Sequence, residues 1–155
     1  CTGNTCRSPM AEALLKKKLA DKLGCPIADL NIRVQSAGIA AAQGSPAALQ
    51  AVQVMHEQGL DLNDHESQQL RYQTARDADL LLTLSNSHRR AIIGEWPEFE
   101  DKTFAIDPDG GDVADPYGAS VDVYHACAEQ ISGLLDQRLP EILRLQPPEN
   151  LLGDN

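Results

Sequence analysis

Two Ser-Pro pairs set the frame of this chain. Ser8-Pro9 and Ser45-Pro46 each stand where a helix-periodic stretch begins. A helix start needs a side-chain oxygen for its orphan N–H groups, and it tolerates a proline whose missing N–H would have no acceptor there. From the first pair, with Ser8 near the N-cap and Pro9 at the first helical position, Ala11, Leu14, Leu15, Leu19 and Leu23 recur at helical spacing up to Gly24. From the second, Ser45 caps, Pro46 takes the first position, Leu49, Val52 and Met55 point inward, and Gly59 stops the helix. Short β-type runs separate these helices. "NIRVQSAG" alternates and predicts a strand from Ile32 to Ser36, and Leu80, Leu81 and Leu82 predict one buried on both faces. A short helix from Asn86 to Gly94 and a last strand in "KTFAI" follow. From Val121 to about Arg138 the residues Tyr124, Cys127, Ala128, Ile131, Leu134 and Leu135 mark a final helix that Pro140 interrupts. Residues 145–155 read as a loose tail.

Strands alternating with helices imply an α/β fold with a mostly parallel sheet. At 155 residues the chain fits one domain over residues 1–155. Such folds hold ligands beyond the carboxyl ends of the strands, where a loop becomes a helix. The opening turn occupies such a place, yet no strand leads into it, which predicts an incomplete N-terminus. The formal charge of −10 excludes a general nucleic-acid binder. No apolar run approaches the roughly 18 residues of a membrane span, and no leader-like stretch opens the chain, so a cytoplasmic protein without a membrane partner is expected. The four cysteines, Cys1, Cys6, Cys25 and Cys127, form no CxxC pair, so neither a zinc site nor a disulfide framework is expected.

"CTGNTCRSPMAE" then raises a chemical question. A turn that presents backbone N–H groups to one point and starts a helix makes an anion cradle. Gly3 lets backbone approach a ligand closely, and Arg7 adds a planar fork for two phosphate oxygens. The same positive surroundings favour a thiolate, so Cys1 is expected to titrate below an ordinary thiol. Nucleophile and phosphate sharing one cradle is what phosphoryl transfer to sulfur requires. No Gly-Lys-Ser/Thr follows, so nucleotide hydrolysis drops out. The plainer alternative is a polar turn around a small buried cysteine.

The stretch "CTGNTCRSPMAEALL" resembles the phosphate-binding signature of the low-molecular-weight protein tyrosine phosphatase family, and its threonine variant looks most like the bacterial protein arginine phosphatases. "SAGIAAAQGSPAALQAVQVMHEQGLDLNDHESQQL" is similar to the segment that follows in the family, and "DVADPYGASVDVYHACAEQI" to its acid loop and last helix. The resemblance covers residues 1 to about 139. It implies a three-layer α/β/α fold whose parallel sheet has four strands, the first and central one missing from this chain, with the phosphate loop between strand 1 and helix 1. It implies Cys1 as nucleophile, Arg7 as the clamp on the phosphoryl oxygens, and Asp115 as the acid that protonates the leaving group and later the base that activates water. Thr2, Gly3, Asn4, Thr5 and Cys6 would bind phosphate through the loop. Ser8 would hydrogen-bond the thiolate, Tyr117 would wall the leaving-group pocket, and Asn4, Ser36 and His65 would hold the loop in its strained shape.

Phosphotyrosine-specific relatives tend to carry an aliphatic residue where this chain has Thr5 and an aromatic where it has Gly118. A polar branch at the pocket floor suits a guanidinium, which favours protein phosphoarginine over phosphotyrosine as substrate. The resemblance also implies inorganic phosphate as product, a monomer, and no metal or cofactor. A third reading, of another class, is a phosphate-binding or phosphocarrier module, against which Asp115-Pro116 argues because a carrier has no use for a general acid. An arsenate reductase on this fold would need further cysteines, and none lies between Cys25 and Cys127. Cys6 is either a buried packing residue or the redox partner of Cys1 in a regulatory disulfide. Cys25 and Cys127 read as bystanders. His56, His88 and His125 read as ordinary surface or helix residues, "HRRA" as helix surface, and the carboxylates from Asp107 to Asp115 as a solvated turn.

Overall fold

The computed structural model describes residues 1–145. Helix α1, Arg7–Leu23, grows directly out of the opening turn, and its cap residue Gly24 takes a φ of 72° with its N–H on the Ala20 carbonyl at 2.9 Å. Its start departs from expectation. Cys6 is the N-cap and Arg7 the first helical residue, so Pro9 lies inside the first turn and not at its first position. The Ser8 hydroxyl is already engaged by the Cys1 sulfur and the Asn4 amide, and proline costs little where N–H groups have no helical acceptor.

Helix α2, Leu49–Glu57, begins at Leu49 instead of Pro46. Ser45 exchanges hydrogen bonds with Ser67, donating its N–H to Ser67 Oγ at 2.9 Å and accepting the Ser67 N–H at 2.8 Å. That exchange holds it out of the helix. The inward face shifts accordingly to Ala51, Val54 and Met55, with Val52 half-buried and Leu49 turned to solvent. Gly59 follows with a φ of 75°.

The sheet is parallel, as the alternation of elements predicts. After the short helix α3, Tyr72–Asp77, which the sequence reading missed, strand β1 spans Leu81–Thr83. Helix α4, Asn86–Glu95, and a 3-10 turn over Pro97–Lys102 carry the chain to β2, Thr103–Ala105. The two strands pair in register Leu81↔Thr103, Leu82↔Phe104 and Thr83↔Ala105. Among the described residues this is the whole named sheet, with one further parallel bridge between Gly38 and Gln69. Residues 32–36 alternate in exposure as a strand does, but they pair with no strand among the described residues. Leu81 and Leu82 are half-buried rather than buried on both faces, because β1 has one paired edge.

Helix α5, Val121–Arg144, runs through Pro140 instead of ending before it. Pro140 lies on the exposed side, where the Asp136 carbonyl it leaves unbonded can face water, while Ile142 beyond it is buried. Helices α1, α2 and α5 pack together, and α4 packs on β2 and the turn before it. Met10, Val54, Met55, Tyr124, Ile131 and Leu135 form the centre of the core, each 1% exposed or less. Burying a side chain of this size contributes about 1.5–3 kcal/mol. Both strands end toward the opening turn. Ile106 donates its N–H to the Thr83 carbonyl, and Val113 donates to Leu84 at 2.8 Å, which folds the acidic loop after β2 back over the end of β1. Among the described residues no helix is long and apolar enough to cross a membrane. Apart from Leu145, the expected tail lies outside the described residues.

Candidate active site

The opening turn closes around the Cys1 sulfur. Sγ lies 2.6 Å from Ser8 Oγ and accepts the Asn4 N–H at 3.2 Å. A hydroxyl and an amide converging on one sulfur stabilise its anion. The shape of the turn depends on Asn4, which among the described residues is the one non-glycine with positive φ, at 57°. Its side chain is fully buried. Nδ2 donates to Ser8 Oγ and to Ser36 Oγ, both at 2.9 Å, and Oδ1 accepts the Gln68 N–H at 2.9 Å. Its carbonyl accepts from His65 Nε2 at 2.7 Å. The structure thus brings Ser36 and His65 to the loop, each on Asn4.

Arg7, only 6% exposed, opens α1 with its guanidinium across the turn. Nη1 donates to the Val113 carbonyl at 2.8 Å, and Nη2 lies 3.3 Å from Asp115 Oδ2. Its Nε is buried without a partner. Leaving such a donor unsatisfied costs about 1–3 kcal/mol, more on a charged group, and an oxyanion held in the turn would remove that cost. Asp115 is half exposed, and its Oδ1 accepts the Tyr117 N–H at 3.2 Å. One guanidinium therefore joins the thiol's loop to a carboxylate that solvent and an incoming molecule can reach. A thiol, a guanidinium and a carboxyl group thus stand in one place.

The remaining loop residues divide by what they touch. Thr2 is exposed and its Oγ1 meets His88 Nε2 at 3.0 Å. A Cβ on Gly3 would meet nothing nearer than Thr5 Oγ1 at 3.7 Å, so the fold itself does not require glycine there and its small size serves what enters the loop. Thr5 fixes its backbone by accepting the Ala48 N–H at 2.8 Å. Cys6 is buried, with Sγ 3.1 Å from the Tyr124 hydroxyl, and all four cysteines are free thiols. Tyr117 stands at the rim, 79% exposed.

Several residues of the site escaped the sequence reading. Glu12 Oε2 accepts both the N–H and the hydroxyl of Ser36, at 2.9 and 2.7 Å, so a carboxylate one turn into α1 anchors the Asn4 partner. Gln68 closes Asn4 through its backbone, which no side-chain pattern reports. Gly38 presses on the loop, since a Cβ there would lie 2.3 Å from the Thr2 carbonyl oxygen. The glycine of "SAG" was the available signal. His88 corrects an expectation: it is not a surface residue but is 5% exposed. Burial, reinforced by Arg7, lowers its pKa to about 4, so it meets Thr2 as a neutral ring. Arg89 likewise is more than helix surface, since its Nε donates to the Thr103 carbonyl at 2.8 Å. Burial pushes the Cys127 thiol up to about 11, and it raises the Tyr124 phenol, which the Cys6 hydrogen bond raises further. In the acidic loop, Asp107 Oδ1 accepts the Asp109 N–H at 2.8 Å within its own turn, whereas Asp112 Oδ1 accepts the Asn86 N–H at 2.7 Å and ties the loop to the start of α4.

Residues 1–146 match the family described as low molecular weight phosphotyrosine protein phosphatase. A protein-arginine-phosphatase of Geobacillus stearothermophilus is 38% identical over 150 residues, covering 94% of each chain. A solved arginine phosphatase from the same organism superposes with a TM-score of 0.81 at 37% identity, over 99% of this chain and 96% of that one. A low molecular weight protein tyrosine phosphatase from T. tengcongensis superposes with a TM-score of 0.82 at 41% identity, over 91% and 95%.

Proposed function

The chain belongs to the low molecular weight phosphotyrosine protein phosphatase family and is a cysteine-dependent protein phosphatase, and from that premise we propose that it hydrolyses protein phosphoarginine. The observation that carries the reading is the pairing of the Cys1 thiol with a buried Arg7 whose Nε lacks a partner and whose Nη2 meets Asp115. In the first step the Cys1 thiolate attacks phosphorus, the P–N bond breaks, and Asp115 gives its proton to the departing guanidine nitrogen. In the second, Asp115 takes a proton from water as its oxygen attacks the cysteinyl phosphate. The S–P bond breaks and inorganic phosphate leaves. Arg7 and the loop N–H groups, from Thr2 to Cys6, bind the equatorial oxygens throughout. Ser8 holds the thiolate, Asn4, Ser36 and His65 keep the loop in shape, and Tyr117 walls the leaving-group side. We take the enzyme to act as a monomer in the cytoplasm, where its thiols stay reduced.

Two supports favour phosphoarginine over phosphotyrosine. Relatives of this chain are named protein-arginine-phosphatase in Geobacillus stearothermophilus and Bacillus subtilis. In addition, Thr5, which lines a hollow together with Tyr117, offers a hydroxyl acceptor to a guanidinium, from which a phenyl ring gains nothing. Overall identity does not separate the substrates, because the tyrosine phosphatase named above is as similar as the arginine phosphatases. The test is kcat/KM on a phosphoarginine and a phosphotyrosine peptide for the parent and for Thr5→Ile. The expected result is a preference for phosphoarginine that shifts toward phosphotyrosine in the variant. A parent that prefers phosphotyrosine overturns the substrate, and activity on neither overturns the enzyme reading.

A further inference from the structure

Leu49 and Tyr117 are the two most exposed large apolar side chains among the described residues, at 83% and 79%. Far apart in sequence, they line one hollow of about 400 Å³ together with Pro46, Val52, Leu62 and Thr5 of the opening turn. None of its lining residues is charged, in a chain that carries 23 acidic and 13 basic residues. The hollow is also held in register with the site. Ala48 donates its N–H to the Thr5 carbonyl at 2.8 Å, so the first residue of α2, Leu49, is fixed to the loop rather than carried on a mobile rim. A helix start also leaves Leu49 no helical reason to be leucine, because the first turn favours acidic or capping residues.

Resting on the phosphatase reading, we infer that this hollow is a substrate subsite for an apolar side chain next to the phosphorylated residue of the target protein. Thr5, Leu49 and Tyr117 line the same hollow and consecutive Cα atoms of a bound peptide are only about 3.8 Å apart, so a residue seated over Thr5 would bring its neighbour to that hollow. The uncharged lining selects against acidic and basic neighbours, whose desolvation there would go uncompensated. Substrate choice would then combine a polar pocket floor with an apolar shelf beside it.

The experiment compares kcat/KM for peptides identical except that the phosphorylated residue is flanked by leucine or by aspartate, in phosphoarginine and phosphotyrosine series. In whichever series is cleaved, the parent is expected to prefer leucine by about tenfold or more, the scale on which an apolar pocket discriminates. Leu49→Asp, a residue well suited to a helix N-terminus and so expected to fold, should bring that ratio near one, with Leu49→Ala between. Equal rates for both flanks in the parent, or an unchanged ratio in Leu49→Asp, overturn the inference. A dimer seen by light scattering in the parent and lost in Leu49→Asp also overturns it, because a second copy then covers the hollow. Hydrolysis of p-nitrophenyl phosphate by the parent separates the two failures. With it, a flat ratio sinks the subsite alone; without it, the phosphatase reading and the subsite fall together.

Discussion

Gly38→Ala should disable the site without substituting any proposed catalytic side chain. The added Cβ would lie 2.3 Å from the Thr2 carbonyl oxygen, 2.8 Å from Ala41 Cβ and 3.0 Å from the Asn4 nitrogen. Gly38 has no room to withdraw, since its N–H is bonded to the Gln68 carbonyl at 2.9 Å and its carbonyl accepts the Leu70 N–H at 2.8 Å. The loop must therefore give way, by about 1 Å if Thr2 is to reach an ordinary contact distance. A displacement of that size at a reacting group costs on the order of 100-fold in rate. Overpacking costs about 1–3 kcal/mol of stability, which at this chain length lowers Tm by about 2–12 °C. Measured at a temperature where circular dichroism shows the variant folded, kcat/KM for p-nitrophenyl phosphate should fall about 100-fold. A folded variant within about twofold of the parent would refute the claim that Gly38 sets the position of the loop.

Asp115→Asn removes the proton donor and keeps the size, so turnover on a phosphoarginine peptide should fall about 10²–10⁴-fold. Because p-nitrophenolate leaves without help, the loss on p-nitrophenyl phosphate should be much smaller, and equal losses on both substrates would refute the acid role. His88 supplies a pH prediction. Its pKa is lowered to about 4, chiefly by burial, against about 6.5 for an unfolded histidine. The unfolded chain therefore binds more protons through that window, and stability falls as pH drops from about 6.5 toward 4. Carboxylates titrate there too, so the reading is a difference: the urea midpoint of His88→Gln should depend less steeply on pH than that of the parent, and parallel curves would count against a buried neutral histidine.

The extent to which the sequence was legible follows the range of each interaction. That the opening turn, Arg7 and Asp115 come together was readable because each belongs to a contiguous string whose backbone and side chains act together. Gly24 and Gly59 were readable as helix ends because a left-handed cap is a local demand. The start of α2 was not, because Ser45 obeys a hydrogen-bond exchange with Ser67 rather than its own propensity. Pro140 misled for a related reason: a proline inside a helix is tolerable when its missing bond faces water, and exposure is a tertiary property. His88 read as an ordinary surface or helix residue, yet it is buried with its Nε2 at 3.0 Å from Thr2 of the opening turn, a contact that its helix pattern does not carry.

The Asn4 backbone shows why the site depends on the whole fold. A left-handed asparagine costs on the order of 1–3 kcal/mol, and each hydrogen bond that holds it contributes about 1 kcal/mol. Its partners come from Ser8 on α1, Ser36 after the alternating segment, and His65 and Gln68 before the Gly38–Gln69 bridge. Any two of them would leave the loop near balance between this shape and a relaxed one. All four together make the strained shape the stable one before substrate arrives. Glu12 extends the same logic outward, because its carboxylate orients the Ser36 hydroxyl that accepts from Asn4. The loop N–H groups are therefore aimed by contacts that assemble only when α1 and the segments around residues 36 and 65–68 have docked. A turn written in seven consecutive residues is in this sense a product of tertiary structure.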